Sequence, residues 1–187
     1  MNWRKYFSVY ELSFLSLMAT LVCVITIFLK TPIKVPGHMA IFFVIPFIIG
    51  IGVTRKFGSG LFMGVLAGLL IGLIGTGDKG ILNVFEYMAM GITMDFLALV
   101  FKGHLGNVLV GCIIGAFGSF AKLLVNYYVI SATGLSANIL IIGIGVTGTA
   151  FLVFGGIGGV ISSAVLNRIQ HIHFLNQNLY KTQKPKT

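Results

Sequence analysis

Six long apolar runs, each holding no more than a few isolated ionisable residues, decide the solvent this chain folds in. They cover about 9–29, 39–54, 58–75, 81–101, 104–130 and 137–167, and each is bounded by charge, Pro or Gly. A helix needs about 20 residues to cross the hydrocarbon of a bilayer, within a range of about 17–25. The second and third runs are slightly short. The last is long enough to tilt, bend or project beyond the membrane, and its Gly155-Gly156-Ile157-Gly158-Gly159 cluster is the expected bend. The runs are continuous and do not alternate, which selects helices over a membrane β-barrel. Composition agrees: 57% of residues are hydrophobic and 9% charged, against about 25% charged in an ordinary soluble domain. The expected fold is an all-α integral membrane protein, a bundle of about six transmembrane helices over residues 1–168. A short polar, basic cytoplasmic tail follows over 169–187 and is expected to be solvated and partly disordered.

The formal charge of +9 does not mark a nucleic-acid binder. Such proteins gather Lys and Arg on one face or tail, whereas here basic residues stand in ones and twos between apolar runs. With six spans, one side carries Arg4, Lys5, Arg55, Lys56, Lys102, Arg168 and Lys181, Lys184 and Lys186, and the other only Lys30, Lys34 and Lys79. The positive-inside rule then places both termini in the cytoplasm. The first run follows Arg4 and Lys5 like a signal peptide, but it is longer than an ordinary h-region and lacks a small-residue cleavage site, so it reads as a retained helix. Cys23 and Cys112 lie inside apolar runs without a CxxC partner and read as small buried hydrophobes.

Chemistry-bearing motifs are sparse. There is no G-x-x-x-x-G-K-[ST] loop, so the chain does not hydrolyse ATP through a P-loop, and any nucleotide-driven energy must come from a partner. G-x-S-x-G and H-E-x-x-H are also absent, and no enzyme is expected. Gly75-Thr76-Gly77-Asp78-Lys79-Gly80 and Gly143-Ile144-Gly145-Val146-Thr147-Gly148 match a dinucleotide fingerprint in letters only, since neither follows a strand. His171 and His173 fall short of a metal site, which takes three or four ligands, and no cofactor is expected. Gly60, Gly64, Gly68 and Gly72 recur every four residues and make a flat helix-packing groove. Asn107, Gly111, Gly115 and Ser119 repeat the pattern.

Ionisable residues at membrane depth are costly, and each is a functional candidate. Glu86, beside Tyr87, stands in the outer half of the fourth run. Lys122 and Asn126 share a face of the fifth, also in its outer half, and His38 stands at the outer start of the second. Asp78, Lys79, Asn83 and Asn138 fall at the same level, and Tyr127 and Tyr128 add aromatic surface there. These polar residues gather where a small solute would enter from outside. A Glu86–Lys122 ion pair that merely ties two helices together accounts for the same residues. Asp95 lies toward the cytoplasmic end, near Lys102 and His104, where it is expected to reach the interface or to serve a proton relay.

The layout resembles the substrate-binding S components of energy-coupling factor (ECF) transporters. Val35-Pro36-Gly37-His38 through Arg55-Lys56-Phe57-Gly58-Ser59-Gly60, then Gly75–Gly80 and Glu86-Tyr87, look like a branch of that family distinct from its biotin, thiamine and riboflavin members. The resemblance implies uptake of a vitamin or related micronutrient, held by the outer loops. His38, Glu86, Tyr87, Lys122 and Asn126 are the substrate-binding candidates. It also implies a transmembrane coupling subunit and two cytoplasmic ATPases. The A-x-x-x-A pattern with which the family's first helix often meets the coupling subunit has its nearest equivalents in Ser16-x-x-x-Thr20 and Ala19-x-x-x-Cys23, which makes Ser16, Ala19 and Thr20 the partner-contact candidates. Two other classes fit the same runs. One is a self-sufficient secondary transporter or channel, and the other a structural or assembly membrane protein.

Overall fold

The structure, a computed structural model, describes residues 7–28, 37–75, 80–102, 104–132 and 137–182, with side chains as far as 131 in the fourth segment and over 145–169 in the fifth. Six helices follow one another among these residues: α1 Val9–Phe28, α2 Ala40–Thr54, α3 Ser59–Ile74, α4 Asn83–Val100, α5 Val108–Ala132 and α6 Ala137–Thr182, with one 3-10 turn, Gly80–Leu82, leading into α4. The described residues contain no strand. Apolar stretches within α1, the turn plus α4, α5 and α6 are long enough to cross a membrane, whereas α2 and α3 have 15 and 16 residues. At 1.5 Å per residue those two reach only about 22–24 Å, short of a hydrocarbon core of about 30 Å.

Local chemistry sets these ends. α2 stops where Arg55 takes the left-handed conformation (φ 50°) and its N–H donates to the Ile51 carbonyl at 2.8 Å. Glycine with positive φ brackets α3, Gly58 before it and Gly75 after it, the usual way to end a helix without a Cβ penalty. α6 has no such stop. It runs unbroken through its glycine cluster and on to Thr182, about 69 Å in all. The segment past Arg168, expected to be partly disordered, is therefore helical over most of its length. No Gly or Pro occurs between Gly159 and Pro185.

The helices form a ring in the order α1, α3, α4, α5, α6 and α2, closed by α2 against α1. α2 leans inward, touches every other helix and buries Phe43, Val44, Phe47, Ile48 and Ile51. Lipid gives helices no hydrophobic reason to associate, so close packing must hold the ring together. Glycine supplies it. A Cβ on Gly60, Gly64, Gly68 or Gly72 would meet backbone of Gly91, Tyr87, Val84 or Gly80 respectively, so α3 and α4 lie antiparallel in backbone contact. α5 meets α6 in the same way, Gly111 against Gly159 and Gly115 against Gly155, and Gly158 admits α6 to the Ile41 backbone of α2.

Gly64→Ala, whose new methyl would strike the Tyr87 carbonyl, is expected to lower stability by about 1–3 kcal/mol. Gly145→Ala, with nothing within 4 Å, is expected to be neutral or to add up to about 1 kcal/mol. Unfolding in detergent followed by circular dichroism measures both, and equal effects at the two sites would contradict this packing.

Candidate functional site

The antiparallel order brings four helices to one end of the bundle, opposite the 55–58 turn. α4 contributes Tyr87, 2% exposed, and α2 contributes Phe43, 3% exposed. Their rings meet edge-on, 6.2 Å between centroids at 75°. Over both rings lies the ammonium of Lys122 from α5, its Nζ 3.9 Å from the Tyr87 centroid and 4.1 Å from that of Phe43. The Tyr87 hydroxyl and the Thr26 hydroxyl of α1 are hydrogen-bonded to each other at 3.4 Å. Lys122 itself is half-buried, and a cation on an aromatic face gains from about 0.5–1 kcal/mol when exposed to about 2 kcal/mol when desolvated. Because both rings are buried, this ammonium points into the bundle and away from lipid.

The other candidates lie at the same end. Glu86 is 4% exposed in the first turn of α4. Half-buried Asn126 stands one turn along α5 from Lys122, and half-buried His38 stands in the turn just before α2. Among the described residues Lys122 forms no ion pair with Glu86, whereas Lys56, at the opposite end, pairs with Glu11. Sequence reasoning thus places Tyr87 and Lys122 in one cluster but misses Phe43 and Thr26. A phenylalanine in an apolar run gives no hydropathy signal, and no fixed spacing links α1 or α2 to Lys122. Asn83 is buried, its amide donating to the Gly80 carbonyl at 2.7 Å, which closes the 3-10 turn. Arg4, Lys5, Lys30, Lys34, Asp78, Lys79, Lys184 and Lys186, and the side chains of Asn138, His171, His173 and Lys181, lie outside the described residues.

At the 55–58 end the polar groups are knitted together by the protein itself. Asp95 does not reach an interface beside Lys102 and His104. It is 1% exposed, and its carboxylate accepts the N–H groups of Gly58 at 3.1 Å and of Gly60 and Leu61 at 3.0 Å each. These are among the donors that the first turn of a helix leaves without an internal partner, and the positive end of the α3 dipole faces the same carboxylate. A Cβ at Gly60 would come within 3.1 Å of the Asp95 carboxyl carbon, so the glycine groove also makes room for this cap. The Thr54 and Ser59 hydroxyls lie 2.7 Å apart, and each has a backbone carbonyl at 2.8 Å, of Gly50 and Lys56 respectively. One hydroxyl donates to its carbonyl while the other donates either to its own carbonyl or to its neighbour. Glu11 accepts from Lys56 and from the Ser8 N–H, tying α1 to the turn.

On α1, Ala19 is 0% exposed and Cys23 2%, so that small-residue pair packs inside the bundle. Thr20 is exposed and donates its hydroxyl to the Ser16 carbonyl at 2.8 Å. Of the partner-contact candidates, Thr20 is exposed, Ser16 half-buried and Ala19 buried.

With this geometry, the chain aligns over 96% of its length with 96% of a solved chain described as the crystal structure of an S-component of an ECF transporter, at a TM-score of 0.67 and 19% identity. No family model matches the sequence, and no curated protein matches it. The resemblance read from the sequence holds at the level of the fold: this is an all-helical membrane protein with the fold of an ECF S-component.

Asp95→Asn keeps the shape of the α3 cap but removes its charge and turns an amide donor toward other donors. Hydrogen bonds to charged groups contribute about 1.5–3 kcal/mol each, so the substitution is expected to cost about 2–4 kcal/mol in a detergent unfolding titration. A change below about 0.5 kcal/mol, the range of a neutral surface substitution, would show that the cap is dispensable.

Proposed function

We propose that this chain is the membrane-embedded substrate-binding subunit of an ECF-type ABC importer, capturing a vitamin or related small micronutrient from outside the cell. The observation that carries the reading is the near full-length likeness to an S-component structure, 96% of both chains at a TM-score of 0.67. The charge distribution supports an orientation to go with it. Arg55, Lys56, Lys102 and Arg168 belong on the cytoplasmic side by the positive-inside rule. The Tyr87–Phe43–Lys122 cluster then sits in the outer half, on the side from which solute arrives.

In this account Glu86, Tyr87, Lys122, Asn126 and His38 line the solute site. The bundle itself binds and releases, and performs no chemistry. The sequence has no P-loop, so the energy of uptake comes from two cytoplasmic ATPases acting through a transmembrane coupling subunit. The Ser16–Thr20 face of α1 is where that subunit docks. The site is the plasma membrane of a prokaryote, with both termini in the cytoplasm.

Affinity purification of the tagged chain from its native membranes in mild detergent tests this reading. A multi-helix membrane protein and two ATPases are expected to co-purify. A homo-oligomer that purifies alone and transports solute in liposomes without ATP would instead establish a self-sufficient transporter.

A further inference from the structure

Lys122 is held in an unusual electrostatic position. Its ammonium lies within 4.1 Å of the centroids of two rings that are 2% and 3% exposed, and among the described residues no carboxylate pairs with it. Lys56, at the other end of the bundle, is given Glu11 as a counter-ion, so the fold does neutralise a lysine where it needs to. Lys122 also stands well inside its own helix. α5 continues ten residues further, to Ala132, about 15 Å, beyond the reach of a lysine stem that snorkels to an interface. Lys122 is half-buried; even partial burial of a cation at membrane depth is costly, and the ring quadrupoles offset only part of that cost. Glu86 projects from α4 about 100° around the helix from Tyr87, and its carboxylate is not within ion-pair distance of Lys122.

A cation fixed on an aromatic shelf, with no counter-charge among the described residues, is a receptor for an anionic oxygen group. We propose that the solute carries a carboxylate or phosphate, which pairs with Lys122 while the apolar part of the molecule packs on Tyr87 and Phe43. This rests on the reading of the chain as a solute-binding subunit. A lipid headgroup phosphate does not meet the need, because the ammonium is turned toward two buried rings and away from the bundle's outer surface. Lys122 is then a specificity-determining residue, selecting acids over their neutral amides.

The test uses the full chain in phosphate-free maltoside micelles, with thermal unfolding measured in sodium benzoate, inorganic phosphate, benzamide or sodium chloride at matched ionic strength. A ligand that binds only the folded state raises the melting temperature in proportion to its occupancy. Benzoate, phosphate or both are expected to raise it by several degrees in the wild type and in Lys122→Arg, while benzamide and chloride do not. A response to benzoate alone identifies the group as a carboxylate, and a response to phosphate alone identifies a phosphate. Lys122→Met is expected to be at least as stable as the wild type without ligand and to lose the anion response, and Lys122→Gln provides the same comparison if the Met variant does not fold. No response to either anion, an equal response to benzamide, or an undiminished response without Lys122 overturns the proposal. A chain that co-purifies with a coupling subunit and ATPases yet shows one of these results loses only its anion selectivity. A chain that fails to co-purify loses the importer reading itself.

Discussion

The backbone contact between α3 and α4 is the constraint on which the rest of this bundle depends. In lipid no hydrophobic force drives helices together, so association has to come from van der Waals contact and from satisfying polar groups. Gly60, Gly64 and Gly68 bring the α3 axis close enough for α4 backbone to fill the groove, and Gly72 does the same for the 3-10 turn before it. That same approach delivers the Asp95 carboxylate to the otherwise unpaired N–H groups at the start of α3. Neither half stands alone: a side chain at position 60 would crowd Asp95, and without Asp95 the buried start of α3 would keep unpaired donors in an apolar setting.

With α3 and α4 locked at one end, the opposite end is free to be something other than a packing device. At the 55–58 end, Asp95, Thr54, Ser59, Glu11 and Lys56 all have protein partners. At the far end, α4 and α2 hold Tyr87 and Phe43 as a rigid shelf, and α5 lays a lysine on it. The division is physically sensible. A binding site needs a group whose charge is unmatched until the ligand arrives, held by elements that do not move to satisfy it, and among the described residues Lys122 has no carboxylate paired with it.

Much of this was legible in the sequence because hydropathy measures what the bilayer demands. The apolar runs locate all six helices, and the i, i+4 glycines mark the α3 face that meets α4. The same signal fails where the bilayer's demand ends. Hydropathy falls off after about residue 167, but backbone hydrogen bonding does not, so α6 continues to Thr182. Asp95 was misplaced for a related reason. Its distance from the end of a run suggested an interface, whereas its role depends on the start of a different helix, which no single-helix pattern reports. Lys122 and Tyr87 stood out as costly or amphipathic residues, but Phe43 and Thr26 did not, because their part in the cluster comes from tertiary proximity alone.

The central claim is that this polar end holds a small solute, and native mass spectrometry of the full chain purified from its own membranes tests it most directly. The account predicts that one small molecule remains bound to the wild-type protein and is absent from Glu86→Ala and Lys122→Ala variants that remain folded. A wild-type protein carrying no such molecule, or one retained undiminished by both variants, would contradict it.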